Sequence, residues 1–269
     1  MLALAVALGL APRIAAAACS RSIQAPMAPT GRLAFVEGEQ LRGVWPDLLR
    51  ELGEQIGCRF EFPVLPRPRL EMELLQGRHL DLMVPASRTP ERDRVALFVP
   101  LMRQPLVLLT RQADEGRIGS LAGLRASGWR IAIPRNFAFS AEYRALIREL
   151  EEQHRVDHVA EASMIGRMMK AGRIDFALLP PTLAHAAAEA GLSRRRFDGL
   201  PLMEVGVYLS RATLAAADLA QLQNALTQAA REGRVRQAFA RYYPPDVAEM
   251  SVLRAAPGGA VHPAVIQSP

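Results

Sequence analysis

Two distant stretches of this chain carry one pattern in different letters. Leu75-Gln76-Gly77-Arg78-His79-Leu80-Asp81-Leu82-Met83 and Met169-Lys170-Ala171-Gly172-Arg173-Ile174-Asp175-Phe176-Ala177 each read as a helix end, a Gly-Arg stop and a strand opening on an apolar-Asp pair. Glycine suits the left-handed position that terminates a helix. Around both, runs rich in β-branched or aromatic residues alternate with stretches of helical period. The strand candidates are Ile23 to Met27, Arg59 to Val64, Leu80 to Val84, Leu106 to Thr110, Arg130 to Ile133, Val156 to Val159, Phe176 to Leu179 and Val205 to Leu209. Between them Leu48, Leu49, Leu52 and Ile56 share a helix face that Gly57 closes, and further helices are expected over Arg69 to Gln76, Ser140 to Gln153, Ser163 to Ala171 and Thr182 to Ala190. Such alternation predicts an α/β fold with mostly parallel sheets. Because the unit from Ile23 to Ala86 is echoed from Arg130 to Pro181, two lobes of similar build are expected, joined near Arg103 to Leu106 and again near Leu200 to Gly206. Residues 19–104 with 206–253 would form one lobe and 105–205 the other. Helices over Thr213 to Glu232 and Arg234 to Tyr242 would lie back across them, and 254–269 reads as a loose tail.

With 269 residues, half of them apolar, the chain can bury a core in each lobe, which excludes disordered and collagenous classes. The net charge of +6 rests almost wholly on arginine, since Lys170 is the only lysine. Apart from Arg194-Arg195-Arg196, those arginines are scattered among acids from end to end, against the concentrated basic face that nucleic-acid binding requires. Residues 2–11 are apolar and Ala15-x-Ala17 or Ala16-x-Ala18 offers a small-residue cleavage site, so 1–18 reads as an export signal and the mature chain as periplasmic. The run is too short to span a bilayer, which needs ~20 apolar residues. Cys19 and Cys58 are the only cysteines. If Ile23 to Met27 lies parallel to Arg59 to Val64, both thiols sit just before their strands, and a disulfide is geometrically natural. The alternatives are a lipid-modified Cys19, against which the segment Ala16-Ala17-Ala18 lacks a large aliphatic residue, or two unrelated thiols.

Further motifs follow in order: Gly43-Val44-Trp45-Pro46-Asp47-Leu48-Leu49, then Ser87-Arg88-Thr89-Pro90-Glu91-Arg92, then Phe98-Val99-Pro100-Leu101, and Gly172-Arg173-Ile174-Asp175 in the second half. In this order and spacing the chain resembles the exported solute-binding proteins of polar amino-acid ABC transporters, family 3 of the bacterial extracellular solute-binding proteins, over roughly residues 22–245. The resemblance implies a two-lobed periplasmic-binding-protein fold of type II with a two-segment hinge. It also implies non-enzymatic binding of a small solute by hinge closure, delivery to a membrane permease, and a monomer without cofactor.

Carried over by position, Arg92 matches the arginine that takes a ligand carboxylate, and Ser87 the hydroxyl in the loop before it; Thr89 and Arg67 lie beside them in the expected cleft. A guanidinium forks onto a carboxylate with two hydrogen bonds. In the second lobe the matching loop is Pro134 to Ser140, where Asn136 tolerates a left-handed backbone, Ser140 caps the following helix, and Phe137 and Phe139 offer apolar walls. The chain departs from the pattern at Pro180-Pro181, where amino-acid-binding relatives usually carry an aspartate for the ligand ammonium. With Arg67, Arg69, Arg88, Arg92 and Arg135 all expected near the cleft, the ligand is expected to be an anionic carboxylate that needs no ammonium.

Other constellations point to no chemistry. His154 and His158 are four apart but lie in a charged segment with no third metal ligand. Glu71 and Glu73 point to different sides of a helix and cannot converge on one atom. No nucleophile elbow, dinucleotide fingerprint or phosphate loop is present. Two other readings of the same fold remain: a dehydratase-like enzyme acting on a cyclic carboxylate, with Glu91 as its nearest acid, and a sensory or assembly partner whose cleft is degenerate.

Overall fold

Asp81 and Asp175, the acids of the repeated pattern, each tie two neighbouring strands together by the same pair of bonds. The Asp81 N–H donates to the Gln24 carbonyl (2.8 Å) while its carboxylate accepts from the Gln24 N–H (2.7 Å). Asp175 repeats the exchange with Arg130, at 2.9 Å both ways. Each carboxylate also holds an arginine, Arg21 for Asp81 and Arg111 for Asp175. The computed structural model of the protein describes residues 18–135, 137 and 139–253; the expected leader, apart from Ala18, and the expected tail lie outside them.

In chain order the described residues form β1 (Ile23–Gln24), β2 (Phe35–Glu37), β3 (Gln40–Arg42), α1 (Val44–Ile56), β4 (Phe60–Glu61), α2 (Arg67–Gln76), β5 (Leu82–Ser87), α3 (Pro90–Val95), β6 (Ala96–Gln104) and β7 (Leu106–Arg111). Then come α4 (Leu121–Ala126), β8 (Ile131–Pro134), α5 (Ala141–Glu152), β9 (Val156–Val159), α6 (Ser163–Lys170), β10 (Phe176–Leu179), α7 (Pro181–Ala186), β11 (Leu192–Phe197) and β12 (Met203–Ser210). The chain closes with α8 (Ala216–Arg231), α9 (Arg234–Tyr242) and α10 (Pro245–Ser251).

The protein is a two-lobed α/β fold. One sheet runs β9-β8-β10-β7-β11; the other side of the molecule holds β4-β1 and β5-β12-β6, joined through the Asp81–Gln24 bond. First, second and third strands of each repeat thus occupy matching places. The chain passes from one sheet to the other at Pro105 and returns across Asp198–Leu202. Strand directions are more mixed than alternation alone implies. The repeat strands pair in parallel through helical crossovers, whereas β12 runs antiparallel to β5 and β6, and β7 antiparallel to β10 and β11. The antiparallel pairings involve the strands on either side of the two crossings between sheets, and those strands lie outside the repeated units.

Burial follows the period of two. Along β7 Leu106 and Leu108 join one core while Val107 and Leu109 join another, and along β10 Phe176 and Leu178 oppose Ala177 and Leu179 in the same way. A sheet covered on both faces explains why these strands read as unbroken apolar runs. At the entrance to β1 and β4 a Cys19–Cys58 disulfide closes the corner, with Cα atoms 4.9 Å apart. The matching corner of the other lobe has no sulfur. There the buried Arg155, just before β9, donates to the carbonyls of Leu124 (2.9 Å), Arg125 (3.0 Å) and Trp129 (2.9 Å).

Candidate functional site

The C-terminal ends of β5 and β10 come together on a cleft of about 980 Å³, with Ser87 on one wall and Pro180 on the other. Strand C-termini at such a junction are where α/β sheets place ligands. On the first wall, the loop after β5 turns directly into α3. Thr89 caps that helix by accepting from the Arg92 N–H (3.4 Å), and its own N–H donates to the Tyr208 hydroxyl (2.9 Å). That hydroxyl donates in turn to Asp93 (2.8 Å). Burial raises the Tyr208 pKa well above the usual phenol range, so it stays a donor. The effect is to fix the turn that presents Arg92.

Arg92 lines the cleft but is 6% exposed and already engaged. Its Nε and Nη2 fork onto the Glu71 carboxylate of α2 at 2.9 and 2.7 Å, and Nη1 donates to the Ser87 carbonyl at 2.6 Å. Its counter-ion is therefore neither of its chain neighbours, Glu91 and Asp93, but Glu71 from another helix. Arg67, the first residue of α2, stands beside it on the cleft wall and donates to the Pro85 carbonyl (2.8 Å). Burial, and then repulsion from Arg92, push its pKa down to about 10.

The second wall comes from the loops after β8 and β9 and from α7, which follows β10: Arg135, Phe137, Glu161, Thr182 and His185 line it. Glu161 accepts a hydrogen bond from the Ser163 hydroxyl at 3.1 Å. Burial, followed by the charge of Arg194, holds His185 below the ordinary histidine range. Arg194 Nη1 lies 3.3 Å from its Nδ1, which makes that nitrogen the acceptor of a neutral ring. Trp45, wholly buried at the start of α1, also lines the cleft, and its indole N–H has no hydrogen-bond partner among the described residues.

Of the residues expected at the site, Ser87, Arg67, Arg92 and Phe137 line the cleft, and Asn136 lies outside the described residues. Thr89 and Ser140 do not line it. Each is spent as a helix cap, Ser140 accepting from the Tyr143 N–H at 3.2 Å. Phe139 is core rather than wall, edge-on to Tyr143 at 4.4 Å, and supports Phe137 from behind at 4.9 Å. Arg69 pairs with Glu73 and Arg88 with Asp93, so neither reaches the cleft. Sequence reasoning missed Glu71, Glu161, Thr182 and His185. Only Thr182 carried a signal, its place just after the strand-ending Pro180-Pro181. Among the described residues no group of three His, Cys, Asp or Glu side chains could hold a metal ion, and no helix is long and apolar enough to cross a membrane.

The model of the bacterial extracellular solute-binding proteins, family 3, matches residues 25–245. No curated protein matches the chain. Solved structures share the fold at low identity. A histidine kinase sensor domain with similarity to periplasmic binding proteins is 17% identical, with a TM-score of 0.65 over 82% of this chain and 96% of that one. The ancestral amino-acid-binding protein AncCDT-1, a precursor of cyclohexadienyl dehydratase, is also 17% identical, at 0.65 over 83% and 95%. The probable amino-acid ABC transporter extracellular-binding protein ytmK from Bacillus subtilis is 17% identical, at 0.64 over 84% and 99%.

Proposed function

Because the chain belongs to family 3 of the bacterial extracellular solute-binding proteins, we propose that it binds a small carboxylate-bearing solute between its lobes, closes on it by hinge motion, and delivers it unchanged to the permease of an ABC transporter. The carrying observation is the charge on the cleft walls. Arg32, Arg67, Arg92 and Arg135 line the cleft among the described residues, against one carboxylate, Glu161. A concave site focuses that excess on whatever enters. The end of β10 offers Pro180 and the hydroxyl of Thr182 where an ammonium would need a carboxylate. Lobe 1 comprises 19–104 with 206–253 and lobe 2 comprises 105–205 in this reading, and the working protein is a periplasmic monomer freed of residues 1–18.

Calorimetry against succinate, glutarate, L-glutamate and L-arginine tests the reading. Binding of the dicarboxylates is expected; tight binding of L-arginine alone would overturn it. A second reading, acid–base elimination on a cyclic carboxylate, is favoured by one observation, the Glu161 carboxylate held by Ser163 at the cleft. Turnover of a cyclic carboxylate that disappears in Glu161→Gln would establish it in place of transport.

A further inference from the structure

The two guanidiniums on the first wall are unequal. Arg92 has a full carboxylate partner in Glu71, a carbonyl partner in Ser87, and little exposure. Arg67 has one carbonyl, Pro85, and no described carboxylate within ion-pair distance. It also sits at the first position of the ten-residue α2, where the helix dipole opposes a positive charge. Its charged neighbours are a second cation, the positive end of a helix and the Glu71 carboxylate, which is hydrogen-bonded to Arg92 and not to it, in a site where desolvation already disfavours charge. Within this group of three, two guanidiniums less one Glu71 carboxylate leave a single positive charge, apart from Arg32 and Arg135 elsewhere on the cleft.

We infer that Arg67, rather than Arg92, takes the carboxylate of the solute, and that Glu71 holds Arg92 as a second donor so that this subsite selects a singly charged anionic head. The inference rests on reading the cleft as a carboxylate site. In it, the bound carboxylate is the counter-ion that Arg67 lacks, while Glu71 keeps Arg92 from adding a second uncompensated charge. Replacing Glu71 by a neutral residue would then change which anions fit, because the subsite would carry two charges instead of one.

Thermal unfolding and calorimetry of wild type, Arg67→Met, Arg92→Met and Glu71→Gln, with succinate and its phosphonate analogue 3-phosphonopropionate as probes, test this. Arg67→Met should melt above wild type when no ligand is present, since it removes an unpaired charge, and should lose at least ~10-fold in succinate affinity. Arg92→Met should melt below wild type, since it strands Glu71, yet keep measurable succinate binding. Glu71→Gln should move the preference from succinate toward the phosphonate. Succinate binding that survives Arg67→Met and vanishes in Arg92→Met would overturn the inference, as would a ligand-free Arg67→Met protein that melts below wild type. If succinate leaves wild type unaffected, the carboxylate reading of the cleft fails, and the ligand-free melting order of the two arginine variants still decides whether Arg67 is the unpaired charge. Arg67→Lys supplies a second variant, expected to bind succinate more weakly than wild type and more tightly than Arg67→Met.

Discussion

The corner where the first two strands of each repeat begin is closed by sulfur in one lobe and by a guanidinium in the other. Cys19 and Cys58 join the segments ahead of β1 and β4, closing a loop with a sequence separation of 39. In the second lobe Arg155 binds the carbonyls of Leu124, Arg125 and Trp129, with Gln153 Oε1 at 2.7 Å as a further acceptor and no carboxylate among its described partners. One topological problem, holding the edge of a parallel pair near the chain's entry, thus has two chemical answers. The aspartates of the repeat differ in the same manner. Asp81 is 1% exposed and Asp175 is 26% exposed, although both make the same backbone exchange. A shared pattern in sequence fixes geometry in both lobes but sets very different energetic weights, because burial decides what a lost partner costs.

The sharpest way to break this comparison is to remove both carboxylates in turn. Asp81→Ala removes the bonds it accepts from Arg21 and the Gln24 N–H and should cost ~3 kcal/mol of stability in urea titration, Arg21 itself being partly solvated. Asp175→Ala, partly solvated, should cost only about 1–2 kcal/mol; equal losses would show that burial is not what separates them. Burial works against ionisation of Asp81, but hydrogen bonds from Arg21 and the Gln24 N–H prevail and hold its carboxyl below the usual carboxylate range. Its contribution is then complete above about pH 5 and disappears as pH falls through the lowered value. Asp81→Asn should accordingly flatten the acid limb of the stability profile.

Next in size are the two corners. Reducing Cys19–Cys58 should remove roughly 3 kcal/mol, and Arg155→Met about 2–3 kcal/mol through its hydrogen bonds to carbonyls. Calorimetric scans with and without reductant, on wild type and Arg155→Met, should give additive losses, since distant sites act independently. Strong non-additivity would mean that the two corners unfold as one. The smallest effect expected is that of Tyr208→Phe, about 1 kcal/mol for the hydrogen bonds that steady the Thr89–Asp93 turn. It should weaken solute binding in calorimetry more than it lowers the melting point.

What could be read from the sequence was whatever the chain encodes locally. The Gly-Arg-apolar-Asp pattern announced a helix end and a strand start in each repeat, and Gly57 and Gly77 take the left-handed conformation that ends α1 and α2. Order and spacing of motifs were enough for the fold, in which Ser87, Arg67, Arg92 and Phe137 line the cleft. Partnerships made by tertiary approach were not legible. Glu71 reaches Arg92 only because α2 lies against α3, and nothing in the helical period of α2 distinguishes it from a solvated acid. Ser140 caps α5 as its sequence position implied, but the cap that Thr89 provides was not foreseen, for a related reason: a hydroxyl before a helix serves a cap and a ligand equally well on paper. The β2–β3 hairpin and α10 also escaped notice, the first because Phe35–Arg42 lacks alternation and the second because Pro244-Pro245 reads as a break while it in fact starts a helix.

The chain has two tryptophans, and the fold gives each a separate address. Trp45 lines the cleft at the start of α1, while Trp129 lies at the Arg155 corner under the Arg117 guanidinium, 5.5 Å from ring centroid to carbon. Intrinsic fluorescence is thereby split into two independent channels, one sensitive to what occupies the gap between the lobes and one to the integrity of the second sheet. Changing either indole to phenylalanine would leave a single-colour probe, so that occupancy and unfolding are each read without any attached dye.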